Sequence, residues 1–440
     1  MKFLITARSR FDANAWLLVA LLVIAIMVSP RVPLPFELSG GRVVELRLGD
    51  GLAVILGTIL VGTVWNSEIY LSRIFVGTSL WLGYGMLLTL TLMALDQADH
   101  LRAAIYSMKE LQYVLYFLLA ANWIRNERDL EKLVRIILAI GLLSLVWGLA
   151  TFYVGTKLML GTHVAGWLGQ PVTERITASY GITTIGEASA FGVCMFYAFL
   201  SFLALSCTIN RERQQVPYML LYLLFSIAML LTGEKIALGL LAIGIVGLLV
   251  VDRSVRAIKV VSLLLIPVAI MMLFIYLTTS ESNFLKRIFH LHGYSINEDR
   301  LSRWRVIWAG VQSNPLGGVG KGQMYLIPGD GHVEEYHSHY IKTLAETGVI
   351  GLALWIVWIG SVLKSLWTGY KSTASVTRVI NGAVFVSALG LSFAGLVQDA
   401  FKTILPNSMF WLFLGLAAAT WRFTSVSRED QGTRSETRER

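Results

Sequence analysis

Three short groups of residues between Arg300 and Gly351 have the types and spacing for chemistry. They are Arg300-Leu-Ser-Arg-Trp304, Asn314-Pro-Leu-Gly-Gly-Val-Gly320, and His337-Ser-His-Tyr-Ile-Lys-Thr-Leu-Ala-Glu-Thr-Gly348. Arginine carries a planar fork of donors that fits phosphate oxygens. A glycine-rich turn lets backbone N–H groups approach a ligand closely. Histidine, with an unperturbed pKa of about 6.5, can take a proton from a hydroxyl near neutral pH. Held together on one side of a membrane, these groups suit the handling of a phosphorylated lipid.

The elements that must hold them are apolar. Of 440 residues, 55% are hydrophobic and only 15% charged, with a mean hydropathy of +0.64, which excludes an ordinary soluble globular chain. Runs of spanning length recur at Trp16–Val28, Gly51–Trp65, Ile74–Leu95, Leu111–Ile124, Ile136–Phe152, Ile185–Cys207, Tyr218–Leu231, Ile236–Val251, Val260–Leu277, Gly348–Leu363, Val379–Leu396 and Met409–Ala419. With flanks, each supplies the roughly 20 residues a bilayer core requires. The expected fold is therefore an all-α polytopic membrane protein of about twelve transmembrane helices. Residues 1–278 would hold nine spans, 279–347 a hydrophilic insert with short helices, and 348–421 three more spans. Residues 422–440, charged and without hydrophobic period, read as a disordered tail.

Lys2, Arg8 and Arg10 precede the first apolar run, but no small-residue cleavage pattern follows it, so an uncleaved first helix is expected. Cys194 and Cys207 fall on one predicted helix, too far apart to bridge. The net charge of +9 is explained by topology and does not call for nucleic acid. With the N-terminus in the cytoplasm, Arg73, Arg125, Arg128, Lys132, Arg211, Arg213, Arg253, Arg256, Lys259, Lys364, Lys371 and Arg378 all fall inside, whereas Asp96, Asp99 and Asp399 fall outside. The loop Arg31–Asp50, with Arg31, Arg42 and Arg47, runs against that bias.

Within the insert, Leu301, Trp304, Ile307, Trp308 and Val311 recur at helical spacing, with Arg303 on the other face. They predict an amphipathic helix over Arg300–Val311, which the Asn-Pro and glycines that follow would end. Helical pattern resumes near His337 and continues through Ile341, Leu344, Ala345 and Ile350 into the next span. His339, two residues on, is expected off the face of His337. The triple His332, His337 and His339 lacks the three- or four-residue spacing of helical metal ligands, and the outward segments hold no Asp-x-Asp pair.

Taken together, Arg300-Leu-x-x-Trp304, Pro315-Leu-x-Gly-Val-Gly320 and His337-Ser-His-Tyr-x-x-x-Leu-Ala-Glu346-Thr-Gly348-x-x-Gly351 resemble the signature of the O-antigen ligase/polymerase family of bacterial inner-membrane glycosyltransferases. The resemblance implies transfer of a glycan from an undecaprenyl-diphosphate donor to a hydroxyl of lipid A-core or of a growing glycan, at the periplasmic face and without metal or other cofactor. It implies His337 as the group acting on the acceptor and Arg300 as a grip on the diphosphate. Lys235, in Thr232-Gly-Glu-Lys235, stands where the family has an arginine, and Arg175 matches a further arginine. Ser338 replaces the usual asparagine; Tyr340, Glu346 and Gly320 complete the pattern.

Plainer readings stand beside these. Arg300 has Glu298 and Asp299 for neighbours, Arg175 has Glu174, and Lys235 suits a headgroup lysine. Gly317, Gly318, Gly320 and Gly322, with Lys321 among them, serve equally as a simple turn, since no Walker pattern follows. A flippase for the same lipid, or a cell-wall glycan polymerase of related architecture, remains an alternative. The charge bias makes one sharp prediction: in the His337→Cys variant, an impermeant maleimide should label the introduced thiol only from outside the cell. Labelling from the cytoplasmic side would overturn the topology.

Overall fold

The computed structural model describes residues 2–28, 31–38, 42–64, 73–95, 97–154, 189–211, 214–232, 234, 236–252, 254, 258, 298–323, 337–371, 375–401 and 404–436. Its helices are α1 (Lys2–Val28), α2 (Leu48–Val64), α3 (Arg73–Ala94), α4 (His100–Trp123), α5 (Glu127–Val154) and α6 (Ala190–Asn210), then α7 (Gln215–Leu230), α8 (Ile236–Val251), α9 (Glu298–Ser313), α10 (His339–Tyr370), α11 (Ser375–Val397) and α12 (Ile404–Glu436). Among the described residues, six helices are long and apolar enough to cross a membrane, and four shorter apolar helices accompany them. The predicted span Val260–Leu277 lies outside the described residues.

Three expectations are corrected. Within the loop Arg31–Asp50, an antiparallel hairpin forms from β1 (Arg31–Leu38) and β2 (Arg42–Arg47), so the fold is helical but not wholly so. The Val-rich run Val43-Val44 and the Ser39-Gly40-Gly41 break between the arms favour that pairing over a coil. Second, the expected span Leu111–Ile124 is only the later part of α4, which starts at His100. Asp99 accepts the Arg102 N–H at 2.9 Å and caps it there, so Arg102, Lys109 and Glu110 ride on the helix. Third, the α12 backbone runs on to Glu436, into the segment read as a disordered tail. Extending an existing helix requires no new nucleus, and no proline interrupts it there.

The bundle is built around α6, where almost every residue from Gly192 to Ile209 is buried, Cys194 and Cys207 among them as free thiols. It packs against α7 and α11, while α12 lies along α4 and α10 lies between α11 and α3. Helices at the rim expose leucine, isoleucine and valine, for example Leu21, Leu80, Leu143 and Val357. So much exposed apolar surface is unfavourable in water and natural against acyl chains.

Polar contacts gather at the two ends. At one end the Tyr370 hydroxyl donates to Asp252 Oδ2 at 2.9 Å, and Arg422 donates to the carbonyls of Asn122 and Ile124. At the opposite end lie the turn after α9, the start of α10 and the link from α11 to α12.

What fixes that second end is a break in α10. Gly348 adopts φ 65° and ψ −172°, which interrupts the helical ladder. The Val349 N–H turns away from the helix and donates to the Pro315 carbonyl at 2.9 Å. In exchange, the Ala345 and Glu346 carbonyls accept from the N–H groups of Val319 (3.0 Å) and Gly320 (2.9 Å). The glycine turn is thus spliced into the break. A Cβ on Gly348 would sit 2.0 Å from the Leu316 carbonyl oxygen, and one on Gly318 2.5 Å from that of Ala345. Gly348→Ala should therefore destabilise the protein by more than about 2 kcal/mol, combining backbone strain with a clash. Gly360→Ala, with open space around its Cβ, should be neutral or stabilising by less than about 1 kcal/mol. Thermal unfolding of the two purified variants checks the contrast.

Candidate active site at one end of the bundle

The predicted amphipathic helix is present as α9, two residues longer at each end than its sequence pattern. Ile307 and Val311 are buried against Ala345 of α10, with Trp304, Val319, Ile341 and Leu344 packed around them. Trp308, expected on that apolar face, is exposed instead. This small second core clamps α9 and the glycine turn onto the first turns of α10. Arg300 lies in the first turn of α9, at the same end of the bundle.

His337 immediately precedes α10 and has φ 49°, the one non-glycine residue with positive φ among those described. A bulky residue in that region is strained, and such strain collects at functional sites. Its half-buried ring brings Nδ1 to 3.4 Å from Gln398 Oε1. In the tautomer with the proton on Nδ1, that nitrogen donates to the amide oxygen and the lone pair is on Nε2. Ser338 is the N-cap: its hydroxyl accepts from the Ile341 N–H and donates to the Gly395 carbonyl. Serine thus has a structural task at this position. Tyr340 donates to the Ser392 carbonyl at 3.0 Å and meets Trp355 edge-on.

His339, expected merely off the face of His337, is instead enclosed. Its ring packs against Phe401 and Trp355, its backbone N–H donates to the Gln398 carbonyl, and Nδ1 lies 3.5 Å from Asp399 Oδ1. The other Asp399 oxygen pairs with Lys342 Nζ at 3.1 Å. Glu346, one turn beyond, accepts from the Gly322 N–H at 3.1 Å, so its carboxylate holds the far side of the glycine turn. Gly320 contributes its backbone to the splice described above.

The turn is also tied to α3 and α4. The Lys321 N–H donates to Thr89, and its Nζ reaches both carboxylate oxygens of Glu110 at 2.6 and 2.7 Å. Gln323 exchanges hydrogen bonds with the Asp99 backbone. Lys321 and Lys342 are therefore both closed on carboxylates. The expected diphosphate grips Lys235 and Arg175, the Arg300 side chain and His332 lie outside the described positions.

Sequence reading overlooked Gln398, Asp399, Lys342 and Glu110. The spacing of Lys342 and Glu346, one helical turn apart, was a visible signal; Gln398 and Asp399 come from a distant link and had none.

Residues 220–356 match the family model described as O-antigen ligase, a stretch that takes in Lys235, Arg300, the glycine turn and His337. No curated protein matches the chain. Over that stretch the chain is thus similar to O-antigen ligases, in a protein whose described residues include six helices long and apolar enough to cross a membrane.

The surroundings of the two histidines separate their roles experimentally. His339→Ala should lower stability by about 1–3 kcal/mol, because it empties an aromatic cage and strips a contact from a buried carboxylate. His337→Ala, half-exposed and strained, should change it by less than about 0.5 kcal/mol. Thermal unfolding in one detergent provides the comparison.

Proposed function

We propose that this protein is an inner-membrane glycosyltransferase that moves a glycan from an undecaprenyl-diphosphate carrier to an acceptor hydroxyl, without metal. The acceptor is lipid A-core or the end of a growing surface polysaccharide. Twelve spans put the site end, including the insert 279–347, on the periplasmic face.

One observation carries the reading: His337 is held in a strained backbone conformation at the head of the helix onto which the turn is spliced, within the segment that matches the O-antigen ligase family. His337 is the general base. Nδ1–H points to Gln398, and Nε2 takes the proton of the acceptor hydroxyl as its oxygen attacks the anomeric carbon. The glycosidic bond to the diphosphate then breaks, and the leaving oxygen gains negative charge. Arg300, with Lys235 and Arg175, neutralises that charge; fixed cations at a developing anion lower the barrier more than they tighten ground-state binding. Ser338 and Tyr340 fix the approach to α10, while Glu346 and Gly320 hold the turn.

The test is transfer in proteoliposomes from a purified lipid-linked oligosaccharide. Arg300→Ala should reduce the rate roughly a hundred- to a thousandfold, and Arg300→Lys should recover only part of it, since the bidentate fork is lost. His337→Ala should lose about 10²–10⁴-fold while donor binding persists. Near-parental transfer by either alanine variant at matched protein level would remove that residue from the mechanism. Chelator should leave the parent rate unchanged; inhibition reversed by a divalent ion would return His332, His337 and His339 to consideration as ligands.

A further inference from the structure

We infer that Lys321 and Glu110 form a positioning pair, which holds the glycine turn in the break of α10 and so sets the geometry around His337. This inference rests on the glycosyltransferase reading for its catalytic consequence, though not for its structural one. Lys321 stands between Gly320 and Gly322 of the turn, and its side chain runs between α3 and α4. Its side chain is only 8% exposed. The stem crosses α3 at Gly85, where a Cβ would lie 2.1 Å from Lys321 Cε. The ammonium sits 4.8 Å from the centre of the Trp81 ring and is held by both oxygens of Glu110.

Glu110 stands about 15 Å along α4 from its first residue, at a depth where isolated charges are unfavourable. An ion pair so largely enclosed, with Lys321 8% and Glu110 22% exposed, adds little net stability, since desolvation opposes the attraction; the attested use of such pairs is to specify one arrangement over others. Here the arrangement specified is the seat of the turn. The next residue back, Lys109, pairs with Asp50 of α2 at 2.6 Å, and Asp99 at the head of α4 exchanges bonds with Gln323. One helix therefore holds the turn at two points and is itself braced from behind. Because Glu110 already occupies the Lys321 ammonium, Lys321 acts through the turn and does not grip phosphate.

The experiment uses full-length protein in proteoliposomes, with Val319→Cys as a reporter of how firmly the turn is seated. Glu110→Gln, Lys321→Met and Gly85→Ala should each speed maleimide labelling of that thiol about tenfold, as local opening becomes easier. Each should also lower kcat roughly a hundredfold, the scale of a small misplacement, with KM for the lipid-linked donor within about twofold of the parent. The exchanged pair, Glu110→Lys with Lys321→Glu, should recover at least about tenfold over either reversal alone. Unchanged labelling in Glu110→Gln and Lys321→Met would overturn the pair as a latch. Faster labelling with unchanged kcat would overturn its positioning role, and a raised KM with intact kcat in Lys321→Met would make Lys321 a donor ligand instead. Should the parent transfer no glycan at all, the glycosyltransferase reading falls, and the labelling result alone decides whether the pair seats the turn.

Discussion

The structure of the site depends on a handful of backbone hydrogen bonds that have changed partners. A helix broken inside an apolar bundle leaves N–H and C=O groups with no water to receive them, and each unmet group costs about 1–3 kcal/mol or more. In α10 the break at Gly348 is tolerable because the turn Pro315–Gly320 supplies matching donors and an acceptor. The turn, in its own right a run of glycines with little to hold it, becomes rigid by the same exchange. Neither element would keep its shape alone.

From that junction the rest of the site end follows. α9 is drawn onto α10 through Ile307, Val311 and Ala345. Ser338 starts α10 at a defined residue, which leaves His337 just outside the helix in its strained conformation. The link after α11 closes the other side, where Gln398 reaches His337 and Asp399 sits between His339 and Lys342. Charges there are arranged in pairs, which lets them persist at low dielectric.

Much of this was legible in the residues. Hydropathy located the helices because burial in lipid and burial in protein both select apolar side chains. The periodicity of Leu301, Trp304, Ile307 and Val311 disclosed α9, and the glycines announced a turn. Three things were hidden. α4 begins before its apolar run because a cap at Asp99 decides where a helix starts, and charges on its outer third find partners elsewhere. The hairpin Arg31–Arg47 depends on pairing between its two arms, which no single window of residues reveals. Gln398 and Asp399 meet the histidines only through tertiary packing of α11 against α10, and a lone sequence has no signal for that.

The break in α10 also works as a ruler. From Gly348 to Tyr370 the helix rises about 34 Å at about 1.5 Å per residue, close to the roughly 30 Å of a hydrocarbon core. The preceding turns, His339–Thr347, extend about 13 Å further. Where the glycine stands in α10 therefore fixes how far the histidine is held beyond the segment of membrane-spanning length.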